Sequence, residues 1–428
     1  MPMNNLPKKP IIIIQIIFVL LYCTKVWAQV DEIRLIRQRI VSQLKSNPIK
    51  AEEVSRLMNN IQSDGSFKYI NYGDLSRTAS FPQRKHTAGL VTLAQAHETE
   101  GNPYYLNKVL LNKIILATNF WVENDFVGDN WHNNQITTPG NLVNLMLLIG
   151  EKLPAELVNR AQPIISRANM NASGARPSGD RIVIAGILAK NLLFIEDKAT
   201  FEEIIKIIAN EIKFSTGERG MQHDYSFHHR IDRVNNTTSY GYGKYANAFG
   251  EWCDYVAGTK YAFDKDKINQ LVDYYLDGVY KQLVFGVYED ISVKNRSIAN
   301  RSTFQAKGTL EIERLLRSTS YRSKELKEII KLRKGEVTPT LSFAKYFWHS
   351  EHFVLQRPNY YTTVRMFSSR NKNMEKPYNG PGITTHHRAD GTNYLMLKGD
   401  EYHNIWPIYE NRNYMMVKVY KRQESWIL

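Results

Sequence analysis

Apolar residues recur three and four positions apart in one segment after another between Val30 and about Leu332: IRLIRQRIVSQL, YYLNKVLLNKIILATNFW, GNLVNLMLLIGEKL, DRIVIAGILAKNLLF and FEEIIKIIANEI. That period puts the apolar side chains on one helical face, and the polar or Gly/Pro joints predict helices of similar length linked by short turns. Many such helices form a bundle or a closed ring of helical hairpins, and no sequence repeat selects between the two. Past the charged helix SKELKEIIKLRKGE and the turn VTPT, the pattern changes to short aromatic and β-branched runs. AKYFWHSEHFVLQ, YYTTVRMFSS, TNYLMLKG and YHNIWPIY, separated by Asn, Gly and Pro, predict antiparallel strands with a boundary near Gly335 to Pro339. This second region ends in VKVYKRQESWIL with no closing pattern of strands. The expectation is the beginning of a β-domain, with a sheet edge left open as an aggregation hazard.

The chain starts MPMNNLPKKP, continues IIIIQIIFVLLYC and reaches VWA before Gln29, which predicts an export signal over residues 1–28. The apolar run is shorter than the ~20 residues that a bilayer-crossing helix needs, so no permanent membrane span is expected. The bulky Tyr22 beside Cys23 argues against lipidation. Once Cys23 leaves with the signal, Cys253 is the only thiol, so no intramolecular disulfide can form and stability must come from core burial. The formal charge of +14 falls to +11 when Lys8, Lys9 and Lys25 are removed, because no acid precedes Asp31. A basic exported chain suits a polyanionic partner. Its Lys and Arg are scattered and no nucleic-acid-binding motif is present, so an acidic polysaccharide is expected rather than nucleic acid. The expected location is periplasmic or extracellular, and the expected state is a monomer.

Candidate chemistry concentrates in DYSFHHRIDRVNNTTSYGYG, residues 224–243, which crowds His228, His229, Arg230, Arg233, Tyr240 and Tyr242 into glycine-rich, polar sequence. Cations near a phenol favour its ionised form and lower its pKa, as a tyrosine needs if it is to accept a carbon-bound proton. The alternative is a solvated loop whose tyrosines pack on neighbouring helices. VKNRSIANRSTF offers Arg296 and Arg301, a pair able to bind carboxylate or sulfate through forked hydrogen bonds, or simply a solvated loop. VGDNWHNNQITTPGNL sets Trp131, His132, Asn133 and Asn134 before a helix, with Trp121 ten residues before Trp131. Exposed Trp and Asn make stacking and hydrogen-bonding platforms for sugar rings. Trp121 reads equally as core, and Asn133 and Asn134 as caps of the following helix. In ASGARPSGDRIVIAGILA, a loop shaped by Gly174, Pro177 and Gly179 presents Arg176, which either clamps a substrate carboxylate or merely leads into a helix capped by Asp180.

No zinc-type spacing, phosphate loop or serine elbow stands out, and neither cofactor nor metal is expected. His386 and His387 lack a third ligand pattern and read as a cleft wall or surface loop. A carboxylate pair such as Asp224 and Glu251 would instead suit a helical-ring glycoside hydrolase.

Taken together, these segments resemble polysaccharide lyase family 8, the chondroitin, hyaluronate and xanthan lyases, from about Glu32 to Tyr409. NWHNNQITTPGNL is similar to the family's Asn-Trp-Trp…Ile-Gly-x-Pro segment and GARPSGDRI to its Gly-Ala-Asn loop. DYSFHHR…SYGYG is similar to its Asp-Gly-Ser-Phe-x-Gln-His…Tyr-Gly segment, and NRSIANR to its Gly-Arg-x-x-Ser-Arg loop. FWHSEHFVLQRPNYYTTVRMFSSRN and ADGTNYLMLKGDEYHNIWPIY resemble the start of its β-sandwich. The resemblance implies a mainly α fold: an incomplete (α/α) toroid over residues 29–335, then the beginning of an antiparallel β-sandwich over 336–428, with an acidic glycan in the cleft between them. Tyr240 would be catalytic base and acid, taking the C5 proton of a uronate and protonating the leaving oxygen. His229 would assist, and Arg296 and Arg301 would keep the site charged and oriented.

The chain departs from the family pattern at four places. Arg176 stands where the family has the asparagine that neutralises the carboxylate. The spacing from His229 to Tyr240 is unusual, which keeps His228 and Tyr242 as alternates. His132 replaces the second platform tryptophan. After PIY the chain leaves the family pattern, which implies a truncated β-region and, as a second reading, a glycan-binding remnant without turnover.

Overall fold

The computed structural model describes residues 31–77, 79–177, 179–296, 305–375 and 389–401. The expected export signal, Arg301, the His386/His387 pair and the run YHNIWPIY lie outside them.

The described residues contain twelve α-helices. The first six are α1 (Glu32–Leu44), α2 (Ala51–Asn60), α3 (Arg84–Glu98), α4 (Lys108–Asn124), α5 (Thr138–Ile149) and α6 (Ala155–Ile165). The second six are α7 (Gly179–Phe194), α8 (Lys198–Glu211), α9 (Asn247–Val256), α10 (Lys265–Asp273), α11 (Leu310–Ser318) and α12 (Ser323–Arg333). Local chemistry fixes several starts. The Asn107 side chain accepts from Leu110 N at 2.9 Å ahead of α4, and Asp197 accepts from Thr200 N at 3.1 Å ahead of α8. Pro139 follows directly on the π-turn Asn133–Thr137, so its missing N–H interrupts the hydrogen-bond ladder where that turn passes into α5.

Neighbours in sequence are neighbours in space: α3 packs on α4 and α5, α5 on α6 and α7, α7 on α8, and α9 on α11. The result is the incomplete (α/α) toroid that the resemblance implied. α7 is apolar almost all round because it divides two cores. Ile182, Ala185, Ala189 and Leu193 join one with Phe201, Ile205, Phe249 and Val256, while Ile184 and Ile187 join the other with Leu142, Val143 and Trp121. No helix among the described residues is long and apolar enough to cross a membrane.

Among the described residues, two short hairpins of the helical body, β1 (Gly220–Met221) with β2 (Phe227–His228) and β3 (Leu283–Val284) with β4 (Tyr288–Glu289), precede a four-stranded sheet. Its order is β5 (Phe343–Phe347), β6 (His352–Arg357), β7 (Tyr360–Arg365) and β8 (Thr392–Met396), all antiparallel. Buried and half-buried residues alternate along β6 and β7, as a one-sided sheet requires. Phe347, Val354, Tyr361, Tyr394 and Met396 pack against Val284, Phe285 and Ile291 of the helical body. Polar bonds stitch the same seam. Tyr361 donates to Asp290 Oδ2 at 2.9 Å, and Phe285 N to Gln356 Oε1 at 3.0 Å. Arg365 donates to Ser292 O and, at 3.1 Å, to Asn295 Oδ1. The sheet therefore holds the loop that carries Arg296.

Candidate active site

A cleft of about 500 Å³ opens where this loop meets the toroid. Its floor begins with a short hairpin of β1 (Gly220–Met221) and β2 (Phe227–His228). Asp224 sets the turn, accepting from Ser226 N at 2.8 Å and from Ser226 Oγ and His349 N at 2.7 Å each. His228 ends β2 and is buried, its Nε2 sharing a 2.9 Å hydrogen bond with Ser350 Oγ. The next residue, His229, emerges into the cleft.

The chain then winds into a π-helical segment, Thr237–Ala246, that leads directly into α9. Residues four apart share a face of such a turn, so Tyr240 and Lys244 both line the cleft, while Tyr242 faces away. Gly241 is required here, because a Cβ would lie 2.8 Å from Phe227 Cβ and would also meet the Tyr274 hydroxyl.

The imidazole of His229 stacks on the ring of Tyr240. Arg296 donates to the Tyr240 hydroxyl oxygen, with its guanidinium carbon 5.3 Å from the ring centroid. Behind them Glu375, fully buried, lies 3.2 Å from Arg296 Nε and 3.4 Å from Arg230 Nε. On the opposite side Lys244 Nζ is 2.9 Å from Asp180 Oδ1 and 3.2 Å from His132 Nε2. Among the described residues six cations line the cleft, Arg77, Arg176, Arg219, Arg230, Lys244 and Arg296, against the carboxylates of Asp180 and Asp232. That excess favours an anionic occupant.

Burial pushes the Tyr240 phenol above its ordinary value, more than the adjacent Arg296 lowers it. The sequence-based expectation of a lowered phenol is therefore corrected: the cation is in place, but desolvation wins in the protein alone. Burial also drives His229 down to about 3 and His132 down to about 4, with Lys244 adding to both, so both rings are neutral near pH 7. Burial pushes the Asp180 carboxyl up, but Lys244 and the neighbouring histidines outweigh it and hold it below the usual range. For Glu375 burial prevails over Arg296 and Arg230 and raises the carboxyl.

Of the residues singled out from sequence, Tyr240, His229, Arg296, Arg176, Trp131 and His132 come together around the cleft. Five others do not. Trp121 is wholly buried, its ring 5.3 Å from those of His86 and Phe126, so the core reading holds and the platform reading fails. Tyr242 donates to Glu311 Oε1 at 2.6 Å, and burial raises its phenol far above the ordinary value. His228 is committed to Ser350. Asn133 is buried inside the π-turn Asn133–Thr137. Asn134 ties Gly128 through both backbone groups, at 3.1 and 2.7 Å.

The hydrolase pair is corrected as well. Asp224 is spent on its turn, and Glu251 bonds Gln43 and Arg314, so neither lines the cleft. Asp180 is no cap either: it lies inside the first turn of α7, bonded to Lys244.

Sequence reasoning missed Lys244, Asp180 as a cleft group, and Glu375. For Lys244 a signal existed, the four-residue spacing from Tyr240. For Glu375 no local pattern marks the residue.

Residues 31–332 match the N-terminal α-helical domain of polysaccharide lyase family 8, and residues 342–413 match the super-sandwich domain of that family. A chondroitinase-AC of Pedobacter heparinus is 27% identical over 392 residues, covering 89% of this chain and 55% of that protein. A chondroitinase AC lyase studied in oligosaccharide complexes superposes with a TM-score of 0.79 at 24% identity, over 89% of this chain and 56% of that one. A Paenibacillus xanthan lyase superposes with a TM-score of 0.69 at 18% identity, over 88% and 40%. The chain thus spans about half the length of the chondroitinases it matches.

Proposed function

Because the chain belongs to polysaccharide lyase family 8, we propose that it is an exported lyase that cleaves uronate-containing glycans of the chondroitin or hyaluronan kind by β-elimination. The observation that carries this reading is the Tyr240 phenol, held by Arg296 and stacked on a neutral His229, at the wall of a cleft rich in cations. A chondroitinase-AC among its relatives supports the choice of glycan, and the apolar run of residues 11–23 supports export to the periplasm or beyond.

The chemistry follows from what elimination demands. The C5 hydrogen of a uronate is only weakly acidic, and its removal builds negative charge on the neighbouring carboxylate. Preorganised cations lower that barrier. Arg176 stands on the rim for this purpose, with its Nε bonded to Ser173 O at 2.7 Å. Tyr240, as phenolate stabilised by Arg296, takes the C5 proton. The electron pair left on C5 forms the C4–C5 double bond as the C4–O bond breaks, and the Tyr240 proton goes to the departing oxygen. His229 Nδ1, buried and without a hydrogen-bond partner among the described residues, would bond a uronate carboxylate in the plane of its ring. Arg301 fills the second arginine role in this reading, and Trp131, half-buried, offers the stacking surface.

The full chain incubated with chondroitin, hyaluronan and xanthan tests the proposal through the ultraviolet absorbance of unsaturated uronate ends. Growth of that chromophore supports elimination. New reducing ends without it indicate hydrolysis, and glycan binding with neither product indicates a binding protein.

A further inference from the structure

Beside the groups assigned to the reaction lies a second charged cluster that the mechanism leaves unused. Asp180, in the first turn of α7, and Lys244, on the π-helical segment, form an ion pair at 2.9 Å. Gly179 brings their two elements together: a Cβ there would lie 2.7 Å from Lys244 Cβ and 2.9 Å from its carbonyl carbon. The other Asp180 oxygen is 3.8 Å from His229 Nε2. Asp180 therefore stands between a lysine and the imidazole stacked on Tyr240.

A buried carboxylate at that distance draws a proton onto an imidazole. His229 as an imidazolium would turn its N–H to Asp180 and set a second positive charge against the substrate's leaving face. Asp180 is the one carboxylate that acts on the ring from α7. Lys244 of the π-helical segment, Arg230 of the ring's own loop and Arg296 of the sheet-held loop all oppose protonation. The ring also meets two uncharged neighbours, Tyr240 in the stack and Asn236, whose Oδ1 accepts from His229 N at 3.3 Å. Among the three cations, Lys244 also bonds Asp180 itself. His132 completes the arrangement: its Nε2 accepts from the Lys244 ammonium, which places the ring proton on Nδ1 facing Thr137 Oγ1 at 3.3 Å.

We propose that Lys244 is a positioning residue: by holding the Asp180 carboxylate, it keeps His229 an uncharged ring stacked on Tyr240 and free to bond the glycan. The use made of the neutral ring rests on the lyase reading, but its charge state does not.

Histidine NMR titration of the full chain tests this without turnover, with the His229 signal identified by its loss in His229→Gln. In the unaltered protein, His229 stays uncharged down to about pH 5, well below the ordinary histidine value. Lys244→Met raises its midpoint by more than about one pH unit, Lys244→Arg leaves it in place, and the double variant Lys244→Met/Asp180→Asn returns it to the starting value. An unchanged midpoint in Lys244→Met, or a raised one in the double variant, overturns the proposal. Should Lys244→Met not fold, Asp180→Asn alone must lower the midpoint or leave it, and a rise there overturns the proposal equally. Elimination assays are read separately: a chain that forms no unsaturated uronate but shows these shifts defeats the lyase reading alone.

Discussion

The imidazole of His229 lies face to face on the phenol ring of Tyr240, with ring centroids 3.7 Å apart and planes within 4°. The stack closes one face of the phenol to water, while Arg296 reaches its oxygen from the loop that the sheet holds in place. Each group thus owes its position to a different part of the fold: His229 to the β1–β2 hairpin, Tyr240 to the π-helical segment, and Arg296 to the seam with β7.

Activity should rise with pH across the neutral range. Burial holds the Tyr240 phenol above its ordinary value, so the ionised fraction is small at pH 7 and grows about tenfold per pH unit until the phenol titrates. His229, at about 3, contributes no acid limb near neutrality. A profile of kcat/KM from pH 5 to 10 measures both, and a descending limb near pH 6 would count against the neutral ring.

Arg296→Met removes the donor to the Tyr240 oxygen and the main influence that lowers its pKa. The expected result is a loss of about 10²–10³ in kcat. The alkaline limb should also move to higher pH, a shift that a merely structural defect would not produce.

Acid should destabilise the protein before its carboxylates titrate. Burial holds His86 and His132 at about 4 and His228 and His229 at about 3. The unfolded chain takes up their protons near pH 6.5, so between there and the folded values the unfolded state binds more protons and stability is lost as the pH is lowered. Each such histidine adds a slope of up to about 1.4 kcal/mol per pH unit. Denaturant midpoints measured from pH 7.5 to 5 should fall steadily, and His228→Asn should flatten the decline.

Some of this was legible in the sequence, and the reason lies in spacing. Ile114, Ala117 and Trp121 fall at i, i+3 and i+7 of α4, all on its buried face, so the periodicity supplied the core reading of Trp121 and its burial decided between core and platform. The same logic parts Tyr240 and Lys244, four apart, from Tyr242, two apart from each. Partnerships that depend on tertiary register were hidden. His132 meets Lys244 across 112 residues, and Glu375 reaches Arg296 only because β7 is docked on the helical body. The sign of the Tyr240 shift was hidden too, since sequence shows the cations but not how deeply the phenol is buried.

Two tryptophans should therefore separate. Trp121→Ala should cost about 3–5 kcal/mol of stability with little change in glycan affinity for the folded fraction. Trp131→Ala, at the cleft wall, should raise KM several-fold through loss of a stacking contact of roughly 1 kcal/mol, with a smaller effect on stability. Chemical denaturation and initial rates on the two variants distinguish them.

The most direct test is elimination by Tyr240→Phe, followed through the unsaturated uronate chromophore on a glycan that the unaltered chain cleaves. The phenyl ring keeps the stack on His229 and removes only the oxygen that Arg296 holds. Loss of at least about 10³ in kcat with glycan binding retained is the predicted result. Elimination at close to the full rate would show that another group takes the C5 proton.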